Sequence, residues 1–62
     1  MDVGAKIKEF RIKAGLTRRK LANAIDITES GLFKIEKGER SPSFVNVRKI
    51  AEVLNISLDE FK

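Results

Sequence analysis

The side chains of this chain that could do chemistry are almost all charged. Histidine, cysteine, tyrosine and tryptophan are absent, which removes thiolate nucleophiles, imidazole bases, Cys/His zinc sites and disulfides. The adjacent carboxylates Asp59 and Glu60 follow Ser57-Leu58, the pattern of a helix cap and first turn rather than of an acid–base pair. No glycine-rich run could cradle a phosphate chain, and so small a domain has little room for a pocket. What remains is cationic. Arg18, Arg19 and Lys20 stand together behind Thr17. If Thr17 caps a helix, they fill its first turn, where each cation opposes the helix dipole at a cost of about 0.3–1 kcal/mol at low salt. A purely structural sequence favours Asp or Glu there. A phosphate at that N-terminus, met by backbone N–H groups and by the cations, explains the choice. The chemistry in view is anion binding, and no cofactor, metal or small-molecule substrate is implied.

The charge distribution agrees. Thirteen Lys and Arg against nine Asp and Glu give a net +4 over 62 residues. Residues 1–20 carry seven cations against Asp2 and Glu9, a net +5; residues 21–41 carry −1 and residues 42–62 balance. The positive excess therefore lies in the N-terminal third and suits an anionic partner. No run approaches the roughly 18 apolar residues of a membrane span, and no apolar stretch reads as a signal peptide. The cytoplasm, on the nucleoid, is the expected location.

The elements that position these residues are short helices. Asp2 caps a first, with Val3, Ile7 and Phe10 at helical spacing and Gly15 as its stop. Thr17 caps a second with Leu21, Ala22 and Ile25 behind it, broken at Asp26-Ile27. Thr28 caps a third, with Leu32 and Ile35 inward, running to Lys37 and stopped by Gly38. Glu39-Arg40-Ser41-Pro42 is a loop. Ser43 caps a fourth, with Phe44, Val47, Ile50, Ala51 and Leu54 on one face and Asn55 able to end it in the left-handed conformation. Ser57 to Glu60 is a capping box opening a fifth that carries Phe61. The class is all-α: a five-helix bundle forming one domain over residues 1–62.

Residues 17–37 have the spacing of a helix-turn-helix, whose second helix lies in the DNA major groove. Spacing alone is weak, since any helical hairpin in a small bundle could show it. On the third helix, Thr28, Leu32 and Ile35 share the inner side, while Ser30, Phe33, Lys34 and Lys37 point outward.

The residues themselves add more. Gly15-Leu16-Thr17, Leu21-Ala22, Ile27-Thr28, Leu32, Lys34-Ile35-Glu36, Gly38, Arg40, Pro42-Ser43, Ile50-Ala51, Leu54 and Ser57-Leu58-Asp59-Glu60-Phe61 stand in the order and spacing of the Cro/Xre-type, phage-repressor-like helix-turn-helix family; Val3-Gly4, Ile7 and Arg11 match upstream. The chain resembles that family over nearly its whole length. The resemblance implies a lambda-repressor-like bundle and a transcriptional regulator that binds a double-stranded DNA operator, with residues 29–37 as the recognition helix. The family's base readers fall on Glu29, Ser30 and Lys34, with Phe33 beside them. Lys34 can donate to guanine O6 and N7, Glu29 can accept from cytosine N4, and Phe33 can pack on a thymine methyl. Arg18, where the family usually has Gln, Arg19 and Lys37 would meet phosphates; so would Arg40, the backbone of 41–43 at Ser43, and Asn46. Arg11 and Glu36 match positions associated with an internal ion pair. Asp26 stands where the family prefers Gly in a positive-φ turn. Gly31, inside the recognition helix, could serve close approach to DNA or mark a helix that completes on binding.

Each assignment has a plainer alternative. Glu29 could only complement a helix dipole, Lys34 and Lys37 could be solvated, Arg40 could be a loop charge, and Phe33 could be a protein contact or the edge of the core. A homodimer on two half-sites is expected, with contacts at Ile56, Leu58 and Phe61 if these are not simply core. The rival function is a protein-interaction module, an antirepressor or antitoxin partner that has lost DNA binding. An amphipathic membrane-surface helix at residues 3–14 fits only superficially, because Val3, Ile7 and Phe10 are needed for the core.

Overall fold

Every α-helix begins at a short polar side chain and ends at a residue that can turn left-handed. In the computed structural model, which describes residues 2–61, these helices are Val3–Lys13 (α1), Arg18–Ala24 (α2), Glu29–Glu36 (α3) and Phe44–Leu54 (α4), followed by a single 3-10 turn at Leu58–Phe61. Asp2 accepts from the Gly4 amide at 2.9 Å, Thr17 from Lys20 at 3.1 Å, Thr28 from Gly31 at 3.0 Å and Ser43 from Asn46 at 3.1 Å. Each bond satisfies an amide that the first helical turn leaves without a partner.

The four stops share one geometry. Gly15, Asp26, Gly38 and Asn55 have positive φ, and the next amide donates back to a carbonyl in the last turn: Leu16 to Arg11 at 3.1 Å, Ile27 to Ala22 at 3.0 Å, Glu39 to Lys34 at 2.9 Å, Ile56 to Ala51 at 3.0 Å. Asp26 holds φ at 64° without being glycine; its short polar side chain makes that conformation tolerable. Leu16, Ile27 and Ile56, each just past a stop, pack onto the core, so the turns also set the direction in which the chain re-enters it.

Ile7, Leu21, Ile25, Leu32, Ile35 and Ile50 are fully enclosed, and burial of side chains of this size contributes about 1.5–3 kcal/mol each. α3 packs against both α2 and α1, while α4 and the 3-10 turn close the other side. Where α1 meets the end of α3, the backbones come so close that a Cβ on Gly4 would run into the Ile35 carbonyl oxygen. The apolar stripe of α1 faces inward, with Ile7 buried and Val3 and Phe10 packed on the core. No helix among the described residues is long and apolar enough to cross a membrane.

Three expectations change. The fifth helix is, among the described residues, a 3-10 turn over Leu58–Phe61: Ser57 accepts from the Asp59 amide at 3.1 Å, two residues on, in place of a reciprocal capping box with Glu60. α3 ends at Glu36, with Lys37 as its cap. Phe44, placed by its spacing on the inner face of α4, is 71% exposed. It occupies the first position of the helix, which overhangs the core, and burial begins in earnest at Ile50.

Candidate nucleic-acid interface

The face that could meet DNA is built around one buried carboxylate. Glu36, in the last turn of α3, has a side chain only 2% exposed. Arg11 of α1 donates from Nε to Glu36 Oε2 at 2.7 Å and from Nη2 to Oε1 at 3.3 Å, while its Nη1 donates to the Leu16 carbonyl at 2.9 Å. α1, α3 and the start of the α1–α2 turn are thus tied at one point. A third partner was not legible in the sequence: Arg18 Nε also donates to Glu36 Oε1, at 3.2 Å. The cluster therefore carries two guanidiniums on one carboxylate and keeps a net positive charge beside α3. The only sequence signal for it was that Arg18 replaces the shorter, neutral Gln expected at that position.

Arg18 is consequently half-buried and directed along α3, while Arg19 and Lys20 in the same first turn are exposed. Glu29, Ser30, Phe33, Lys34 and Lys37 all lie on the solvent side of α3. Glu29, Ser30, Phe33 and Arg18 line one shallow depression at the junction of α2 and α3. Phe33 carries two cations, with the Arg18 guanidinium carbon 4.7 Å and the Lys37 ammonium 4.9 Å from its ring centroid. Lys37 also pairs with Glu39 at 3.1 Å.

Beyond α3 the chain returns to the same face. Arg40 is exposed and lies across the first turns of α3: a Cβ on Gly31 would stand 3.4 Å from Arg40 Nη1 and 3.1 Å from Thr28 Oγ1. Gly31 is buried, so its missing side chain makes room for these two groups rather than for an approaching duplex. Ser43 Oγ accepts the Asn46 amide in its capping role, which leaves the hydroxyl hydrogen as a donor. Asn46 is half-buried one turn into α4.

The expected dimer residues are less exposed than the sequence suggested. Ile56 and Phe61 pack on the core and Leu58 is half-buried. The left-handed Asn55 turns Ile56 inward, and Phe61 meets Phe10 edge to face at 6.0 Å between centroids. Open apolar surface lies instead at Phe44, Val45 and Val53 on α4 and at Ile12 on α1.

Comparison with known proteins points the same way as this geometry. The helix-turn-helix family model matches residues 7–61. The chain is 44% identical over 57 residues to the uncharacterized HTH-type transcriptional regulator YazB of Bacillus subtilis, covering 92% of this chain and 83% of that protein. It is 33% identical over 58 residues to the HTH-type transcriptional regulator PuuR of Escherichia coli, covering 94% of this chain but 31% of PuuR. Among solved structures, the restriction-modification controller protein C.AhdI of Aeromonas hydrophila superposes with a TM-score of 0.91 at 31% identity, over 98% of this chain and 92% of that one. The clp gene regulator ClgR of Corynebacterium glutamicum superposes at 0.93 with 27% identity, over 97% and 64%. A helix pair of helix-turn-helix spacing, cations gathered on its outer face and these relatives converge: the chain belongs to the Cro/Xre-type helix-turn-helix family of DNA-binding transcriptional regulators.

Proposed function

We propose that this chain is a sequence-specific reader of double-stranded DNA that regulates transcription by occupying an operator, with α3 in the major groove. The observation that carries the reading is the arrangement of cations about α3. Arg18 reaches its outer face from α2, with Arg19 exposed in the same first turn, Lys34 projects from it, Lys37 caps its end, and the Arg40 guanidinium comes up to Gly31 in its first turn. Glu29, Ser30 and Lys34 are then the base-edge contacts. Arg18, Arg19, Lys37, Arg40, Ser43 and Asn46 face the two phosphate backbones. Repression by blocking polymerase is the simplest output, and the nucleoid is the place of action.

The molecule measures 25 × 22 × 20 Å, less than the roughly 34–36 Å of one DNA turn. A single copy covers one half-site, so we infer a homodimer on DNA. Its contact surface is the C-terminal end of α4 and the segment after it, where Val53 is exposed and Leu58 half-exposed beside Ile56 and Phe61.

Selection from a random duplex pool at about 0.15 M salt tests the reading. An enriched inverted repeat supports specific binding by a two-fold dimer. One short enriched site supports a monomeric reader. No enrichment by the folded protein favours the rival, a protein-interaction module, which the exposure of Phe44 and Val45 supports. Salt separates the two: phosphate binding weakens steeply as salt rises, whereas an apolar contact does not.

A further inference from the structure

Phe33 is the aromatic ring on the outer face of α3, and 42% of it is exposed. Open rings on a recognition helix invite a base contact, such as a thymine methyl. This ring is already engaged. The Arg18 guanidinium lies 4.7 Å and the Lys37 ammonium 4.9 Å from its centroid, both inside the roughly 6 Å range over which a ring attracts a cation.

Arg18 is held from a second direction. Its Nε donates to Glu36 Oε1 at 3.2 Å, and Glu36 stands one helical turn beyond Phe33. The bond to Nε leaves both Nη groups of Arg18, which make no hydrogen bond among the described residues, to meet an outside acceptor. Lys37, the C-cap one turn past Phe33, is shared between the ring and the exposed Glu39 carboxylate at 3.1 Å. Long cationic side chains ordinarily lose rotamer freedom when they bind a phosphate; a chain already ordered by its neighbours loses less.

We propose that Phe33 is a positioning residue for the phosphate contacts and not a base reader. Together with Glu36 it holds Arg18, and together with Glu39 it holds Lys37, as a pre-ordered pair of cations aimed at the DNA backbone. This rests on the DNA-binding reading above. It makes base preference independent of Phe33 and backbone affinity dependent on it.

The test compares wild type with Phe33→Ala, Phe33→Leu and Phe33→Tyr. The probes are a duplex bearing the pool-enriched site, a scrambled duplex of equal length, and versions of the first with thymines replaced singly by deoxyuridine. Ala and Leu should weaken binding by about three- to tenfold on both duplexes alike and flatten the salt slope by about 1. Tyr should preserve both quantities, and deoxyuridine should not distinguish the variants. If Leu binds as wild type does, the ring's π face has no part and the proposal is overturned. A loss confined to the site-bearing duplex, and absent once one thymine is deoxyuridine, identifies a methyl contact and overturns it too. The free protein provides a check without DNA: Arg18 Hδ and Lys37 Hε protons should show upfield ring-current shifts that vanish in Phe33→Leu. Missing shifts overturn the positioning whatever the duplexes do. Shifts present with no binding to any duplex overturn the phosphate role and place the fault in the DNA-binding reading itself.

Discussion

Glu36 is the residue that ties α1 and α2 to the end of α3, because its buried carboxylate answers two guanidiniums from two other elements. Removing it leaves Arg11, with a side chain only 9% exposed, without its counter-charge; losing one partner of such a pair typically costs about 3–5 kcal/mol. A domain of this length has only a few kcal/mol of net stability, roughly 0.05–0.15 per residue. Glu36→Ala should therefore lower the melting temperature by at least about 15 °C, as read by thermal denaturation, and any variant that remains folded should keep its base choice. A specificity switch without destabilisation would contradict the structural role. Arg18→Ala should cost under about 1 kcal/mol, since Arg18 is partly solvated and Arg11 stays in place. The glycines divide in the same way. Gly4→Ala forces a methyl into the Ile35 backbone oxygen, a group that cannot swing aside; it should destabilise by about 1–3 kcal/mol or more. Gly31→Ala meets only the Thr28 hydroxyl and the mobile end of Arg40. The gain in helix propensity of about 1 kcal/mol should offset that crowding, so its melting temperature should stay within a few degrees of wild type.

At the scale of elements, the helix ends were the most legible part of the sequence. Asp2, Thr17, Thr28 and Ser43 cap where their side-chain chemistry predicts, and Gly15, Asp26, Gly38 and Asn55 stop the helices where a positive φ is tolerated. These are local decisions, made by a side chain and the amides two or three residues away. The outer face of α3 was legible for the same reason, since helical periodicity alone separates Lys34 from Leu32 and Ile35. α3 presents Lys34 without a hydrogen bond or ion pair among the described residues, unlike Lys37, which pairs with Glu39. Lys34→Ala should thus relax preference at one or two base pairs of the enriched site, with a discrimination loss of about 1–3 kcal/mol there. An equal fall on every duplex would make Lys34 a phosphate contact. The final turn was less legible. Ser57-Leu58-Asp59-Glu60 has the composition of a capping box, but the Ser57 hydroxyl takes the Asp59 amide two residues on, not the Glu60 amide three on, and the backbone over Leu58–Phe61 winds as a tighter 3-10 turn.

For the whole molecule, charge gives the clearest expectation. Arg18, Arg19, Lys37 and Arg40 as phosphate contacts imply a log–log salt slope of about −3 to −4 for each bound copy, and about twice that for a dimer. Arg18→Ala combined with Arg19→Ala should flatten it by about 1–2 per copy, measured by duplex titration across a range of salt. An unchanged slope would remove the start of α2 from the interface. The all-α class, the helix order and the excess of cations toward the N-terminus could all be read from the chain, because periodicity, caps and net charge are properties of neighbours in sequence. The second guanidinium on Glu36, the engagement of Phe33 by Arg18 and Lys37, the touching backbones at Gly4 and the exposure of Phe44 could not. Each depends on how far apart two helices sit and how they are rotated, and that is settled when Ile7, Leu21, Leu32, Ile35 and Ile50 close into one core. Close packing allows these side chains few joint arrangements, and it is that arrangement, not any local motif, that brings residues 18, 33 and 36 within reach of one another.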